Sequence, residues 1–240
     1  MNKGKTKFCL WYEKTIGKII PKYGFLSVIF CFVFNSLIYT GLQILMKDVK
    51  RFDLTTSYDE AIPFVPEWVF IYLGCFVFWG VNYILMTRQG KEGWYQFAAG
   101  DYLSRLLCGM FFILIPTTNI RPEVAGDGLA AVLMRFVYQV DAASNLFPSI
   151  HCLVSWLCFA GIRGKSYVPK WYQAFSCVFA LAVFASTLFT KQHYIIDAIA
   201  GMVFAELCYY IGCHGKYSQW IESKFDKVNS KLFGENGYEG

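Results

Sequence analysis

Apolar positions along this chain come in long unbroken runs, not in the alternation of a half-buried strand or the single stripe of a surface helix. Six runs approach the roughly 20 residues that a helix needs to cross a bilayer. They cover about Tyr23 to Met46, Trp68 to Met86, Phe97 to Thr118, Phe147 to Ile162, Trp171 to Thr190 and Tyr194 to Cys213. The fourth is the shortest and opens at Pro148-Ser149, where the fixed φ of proline suits the first turn of a helix. The last two are separated by so few residues that they predict a tight antiparallel hairpin. Gly128 to Val140 is apolar on nearly every face except at Arg135 and Gln139 and too short to span. It reads as an interfacial or re-entrant element. The expected fold is an all-α integral membrane protein, a bundle of six transmembrane helices. Residues 1–22 form a basic N-terminal segment, 23–214 the membrane domain and 215–240 a tail.

Composition agrees with this. Charged residues make up 16% of the chain, against roughly 25% in ordinary soluble domains, and 56% of residues are hydrophobic. The net charge of +5 lies between apolar spans, which argues for membrane orientation and against nucleic-acid binding. Lysines and arginines concentrate in the N-terminal segment, at Arg88 and Lys91, at Arg163, Lys165 and Lys170, and in the tail at Lys216, Lys224, Lys227 and Lys231. The opposite connections hold fewer: Lys47, Lys50, Arg51, Arg121, Arg135 and Lys191. Both termini are therefore expected in the cytoplasm. Most of the nine cysteines fall inside apolar runs with no Cys-x-x-Cys pair, so they read as small buried hydrophobes. Asp101 and Arg105, four apart at the expected start of the third span, read as an ion pair snorkelling at the interface, with a buried functional role as the alternative.

The same topology gathers Arg121, Ser149, His151, Lys191 and His193 at the outer ends of spans three to six. Ser149 and the free N–H groups at the start of the fourth helix offer an anion cradle. Arg121 adds a planar fork suited to phosphate oxygens, and Lys191 a point charge. His193 and Asp197 are four apart and share a helix face. The carboxylate would hold one ring nitrogen and leave the other free to attack phosphorus, with His151 as the acid for the leaving oxygen. Such cations and N–H donors relieve the repulsion that a phosphate ester presents to a nucleophile. His193 and Asp197 could also be metal ligands. However, His214 lies at the other end of its helix and no further ligands are evident, so neither metal nor cofactor is expected. His214 itself reads as an interfacial residue.

Arg121-Pro122, Pro148-Ser149-Ile150-His151, and Ser186 with His193-Tyr194-Ile195-Ile196-Asp197 and Gly201 resemble the three motifs of the type 2 phosphatidic acid phosphatase superfamily. The resemblance spans Arg121 to Gly201. It implies a helical membrane enzyme working without metal through a phosphohistidine, with His193 as nucleophile, Asp197 as its orienting carboxylate and His151 as general acid. Arg121, Ser149 and, from the third motif, Ser186 would bind the phosphate. The phosphatase members carry a lysine seven residues before the first arginine, where this chain has Leu114, and an arginine after the third-motif serine, where it has Thr187. Lys191 stands close enough in sequence to replace one lost charge. The trimmed pattern resembles the branch of inositol phosphorylceramide synthase and sphingomyelin synthase-like transferases, which pass a headgroup to an alcohol. The expected partner is a lipid substrate in the membrane, its phosphate or phosphodiester cleaved at the exterior or lumenal face with water or an alcohol as acceptor. A transporter or non-catalytic lipid-binding protein is the alternative from another class. It would tend to place its polar residues near the bilayer midplane, whereas these cluster at one surface.

Overall fold

The computed structural model describes residues 5–238; Lys3 of the basic N-terminal segment and the last two tail residues lie outside the described residues. The chain is helical almost throughout. Its elements are α1 (Lys7–Lys14), α2 (Lys22–Leu45), α3 (Ser57–Ala61), α4 (Val69–Thr87), α5 (Lys91–Leu114), α6 (Leu129–Val140), α7 (Ile150–Ile162), α8 (Lys170–Phe189), α9 (Ile195–His214) and α10 (Tyr217–Phe233). Proline or glycine stands before several starts. Pro21 precedes α2, Pro66 opens the 3₁₀ turn leading into α4, Pro169 precedes α8, and Gly90 turns into α5 at φ +94°, a conformation that favours glycine.

Among the described residues, five helices are long and apolar enough to cross a membrane: α2, α4 with its leading turn, α5, α8 and α9. The predicted fourth span is instead the 13-residue α7. At 1.5 Å per residue it covers about 20 Å, short of a hydrocarbon core of about 30 Å. Nearly all of it is buried among the longer helices. Exposed Val77, Val178, Val203 and Leu207 on α4, α8 and α9 present apolar surface where a soluble protein would place charge. The protein is a multi-pass membrane protein.

Small residues decide which helices pair. A Cβ added at Gly201 of α9 would lie 2.6 Å from the Ser149 carbonyl oxygen, so α7 and α9 cross almost backbone to backbone. Gly212 of α9 meets Gly100 and the Gln96 carbonyl of α5 in the same way. Hence α9 packs chiefly against α5 and α7 and touches α8 little, which corrects the expected α8–α9 hairpin. The short link between them sets a turn, but the glycines draw α9 to other partners.

The Asp101–Arg105 pair is also corrected. Because α5 begins at Lys91, not near Phe97, Asp101 lies about 15 Å along the helix. Both side chains are buried. Arg105 Nη2 meets Asp101 Oδ1 at 2.7 Å, and the Tyr83 hydroxyl donates to the same oxygen. A pair at this depth has no water to snorkel into, so it is partnered inside the bundle.

Pairing of Phe52–Asp53 with Thr117–Thr118 ties the α2–α3 connection to the one after α5, across the end of the bundle where α7 and α9 begin. The helix α6 packs Met134 and Val137 against Val69 and Tyr72 of α4 and leaves Leu129, Val132, Phe136 and Val140 exposed.

Candidate active site

The helix α9 starts at Ile195, and His193 stands in the turn just before it. Thr187 at the end of α8 fixes that turn, its carbonyl accepting the N–H groups of Gln192 (2.9 Å) and His193 (3.2 Å). Asp197 is the third residue of α9, where a carboxylate suits the positive end of the helix dipole. Its Oδ2 accepts the Tyr194 N–H at 3.1 Å and faces His193 Nδ1 at 3.3 Å, while its Oδ1 has no partner. Asp197 is fully buried and the His193 side chain is 8% exposed, so the pair sits in a low-dielectric pocket with one edge open.

His151 is the second residue of α7. Ser149 caps that helix and accepts the Cys152 N–H at 3.3 Å, so Pro148 precedes the cap and is not within the first turn. The Ser149 N–H donates to the Asp197 carbonyl at 3.0 Å, joining the starts of α7 and α9 directly. Helix geometry leaves the N–H groups of Ile150 and His151 without an intrahelical acceptor. The two histidine rings approach to 5.8 Å between centroids.

The remaining predicted residues divide. Arg121 joins the site: it donates to the Gln192 side-chain oxygen at 2.6 Å and to the Asp141 carbonyl, and stacks on Tyr138 at 4.8 Å. Its Nε is buried without a partner. Lys191 is tied to α3. Its backbone takes φ +52°, and its ammonium donates to the Asp59 carbonyl at 2.6 Å. Ser186 is buried and its hydroxyl donates to the Val183 carbonyl of its own helix at 2.7 Å, which commits it locally.

Several site residues carry no motif. Asp59, on α3, accepts the Ile195 N–H at 2.8 Å and so completes the start of α9. Burial pushes its pKa up, but hydrogen bonds from Thr56 and the Ile195 N–H, with Lys191 nearby, outweigh this and hold it below its ordinary value. Burial lowers the Lys191 ammonium below an ordinary lysine, against the pull of Asp59 and Glu60. Asp141 accepts hydroxyl hydrogen bonds from Tyr39 and, at 2.9 Å, from Tyr72, whose ring lies tilted against His151 with centroids 4.5 Å apart. The capping box of Thr56 and Asp59 was a local signal for α3, but its target 136 residues away was not.

Two cavities flank the histidine pair. One of about 580 Å³ reaches His193 and Tyr194 and carries Asp53, Asp59, Glu60 and Lys191 on its wall. The other, of about 290 Å³, reaches His151 between α2, α4 and α6 and is walled by Phe76, Trp79, Phe136 and Val140, with Asn35, Tyr39, Tyr72 and Asp141 as polar groups. The arrangement offers an imidazole held by a carboxylate, a second imidazole across a gap, a guanidinium and free N–H groups.

A family model described as the PAP2 superfamily matches residues 56–211, which include every one of these groups except Asp53 and Tyr39. No curated protein and no solved structure matches the chain.

Proposed function

The chain belongs to the PAP2 superfamily, and from that membership we propose that it cleaves a lipid phosphate or phosphodiester through a phosphohistidine on His193. The observation that carries this reading is the His193–Asp197 contact at 3.3 Å with His151 facing it at 5.8 Å. With Nδ1–H donating to Asp197, Nε2 is the free nucleophile. It attacks phosphorus while the bond to the leaving oxygen breaks, and a protonated His151 gives that oxygen its proton. Asp197 stabilises the imidazolium as it forms. In the second half, neutral His151 takes the proton of an incoming hydroxyl, whose oxygen attacks phosphorus and releases His193. Arg121 and the N–H groups at the start of α7 hold the phosphoryl oxygens, and these groups supply the charge stabilisation without a metal. The lysine and arginine bias supports a site on the exterior or lumenal side with both termini cytoplasmic.

The test is a panel of phosphate-labelled phospholipids given to purified protein with excess chelator. Turnover of at least one lipid, unaffected by chelator, supports the proposal. Activity lost in chelator and restored by one divalent ion overturns the scheme.

Transfer to an alcohol instead of water is the second reading. It is favoured by the apolar walls of the His151 cavity, among them Phe136 and Val140 of α6, since an apolar site disfavours water as acceptor. On this reading Phe136→Ala with Val140→Ala raises hydrolysis relative to transfer when an alcohol acceptor is supplied. An unchanged ratio leaves α6 as an anchor alone.

A further inference from the structure

At the far end of α9, about 30 Å of helix from the histidines, α10 folds back against α5 and α2. Its inner face is aromatic: Phe225 meets Tyr102, Tyr95 and Phe30 with ring centroids 5.8–6.4 Å apart. Its acids also turn inward, since Glu222 and Asp226 both pair with Lys91, at 3.3 and 2.7 Å. What remains outward is Trp220, Lys224, Lys227, Val228 and Lys231, a basic stripe without a carboxylate. This charge separation is not required to fold α10, because its packing uses the other face.

Beside the stripe lies a groove of about 300 Å³ between α2 and α5, closed on one side by α10. Its walls include Phe30, Phe34, Leu106 and Trp220, and its one charged lining residue is Lys224. Among the described residues Lys224 forms no ion pair; its ammonium rests 5.4 Å over the Trp220 ring. That contact holds a cation beside an apolar slot, an amphipathic pairing of the kind found at membrane interfaces.

We propose that this groove is a binding site for one anionic phospholipid, distinct from the substrate site. An acyl chain lies along Phe34 and Leu106 and the headgroup phosphate meets Lys224, with Lys227 and Lys231 supplying the surrounding positive potential. Charge complementarity selects the occupant: a zwitterionic lipid satisfies the slot equally well but brings its own cation to the stripe.

Native mass spectrometry of the full-length protein tests this, with dioleoyl phosphatidylglycerol, dioleoyl phosphatidylcholine or soluble glycerol 3-phosphate added to detergent-purified samples. The wild type should retain one phosphatidylglycerol about fivefold more strongly than phosphatidylcholine, in line with about 1 kcal/mol per interfacial lysine. Lys224→Gln, at an exposed position, should lower that preference severalfold while leaving turnover unchanged. Leu106→Trp, which fills the slot, should lower retention of both lipids. Glycerol 3-phosphate should not be retained. Equal retention of the two lipids by the wild type, or an undiminished preference in Lys224→Gln, overturns the site. Retention of glycerol 3-phosphate reduces it to an anion-binding surface and overturns the chain-binding claim.

Discussion

The Lys191 ammonium donates to the backbone carbonyl of Asp59 at 2.6 Å, while the Asp59 carboxylate accepts the Ile195 N–H at 2.8 Å. A five-residue helix far away in sequence is thereby clamped on both sides of His193. Lys191 acts here as a strut for the turn that carries the histidine. Asp59→Ala should therefore reduce turnover about tenfold or more while leaving the bundle folded, and Lys191→Gln should do so less. Steady-state rates on the lipid identified by the panel check this; an Asp59→Ala enzyme with wild-type turnover would show that the clamp does not position His193.

Acid should open the same clamp. The folded-state pKa of Asp59 lies below its ordinary value of 3.8. The stabilisation it contributes is thus fully present above that value and is lost as pH falls through the lower folded value. Reversible loss of activity below about pH 4 should be shallower in Asp59→Asn, which has no carboxylate to protonate. Identical acid limbs in the two proteins would place the acid-sensitive group elsewhere.

Local patterns carried most of what could be read before the fold was known. His193 and Asp197 meet because they are four apart around a helix start, and Ser149 and His151 belong to one cap. Topology brought distant segments to one end of the bundle, but which of their atoms bond was not legible. Nothing in the sequence links Arg121 to Gln192 or Asp59 to Ile195, because those bonds depend on how the connections fold over the bundle end. The bond from Lys191 to the Asp59 carbonyl was hidden for the same reason: closeness to His193 in sequence does not fix the direction of a long side chain leaving a residue at φ +52°. The apolar run begins only near Phe97 whereas α5 begins at Lys91, and this moved Asp101 and Arg105 to an interface that they do not occupy.

The α7–α9 crossing gives a stability prediction. Gly201→Ala places a methyl group 2.6 Å from a backbone oxygen, which cannot rotate away. It should cost about 1–3 kcal/mol as an overpacked contact and shift Ser149 and His151 relative to His193. Thermal unfolding in detergent would measure it, with Gly41→Ala as control because nothing lies within 4 Å of that position. Equal midpoints for the two variants would contradict the close crossing.

Asp141 and Tyr72 frame His151 without belonging to any motif. Asp141→Asn and Tyr72→Phe should lower kcat roughly tenfold, part of the about 10²–10⁴ that a general acid supplies, with little change in KM. A rise in KM at constant kcat would assign the pair to binding lipid in the apolar cavity.

Sidedness is checked by single cysteines in a cysteine-depleted background. Glu123→Cys should react with an impermeant thiol reagent on intact cells or sealed vesicles, and Glu235→Cys only after permeabilisation. The reverse pattern would move the histidines to the cytosolic face.

The central claim is that phosphorus passes through His193. Wild-type protein is mixed with the phosphate-labelled lipid that it turns over, quenched in alkali to preserve a phosphoramidate, and digested for peptide mass spectrometry. The account predicts a base-stable, acid-labile label on the peptide containing His193, reduced in Asp197→Asn and absent in His193→Gln, which is folded but without turnover. Label on another residue, or substantial turnover by His193→Gln, would contradict it.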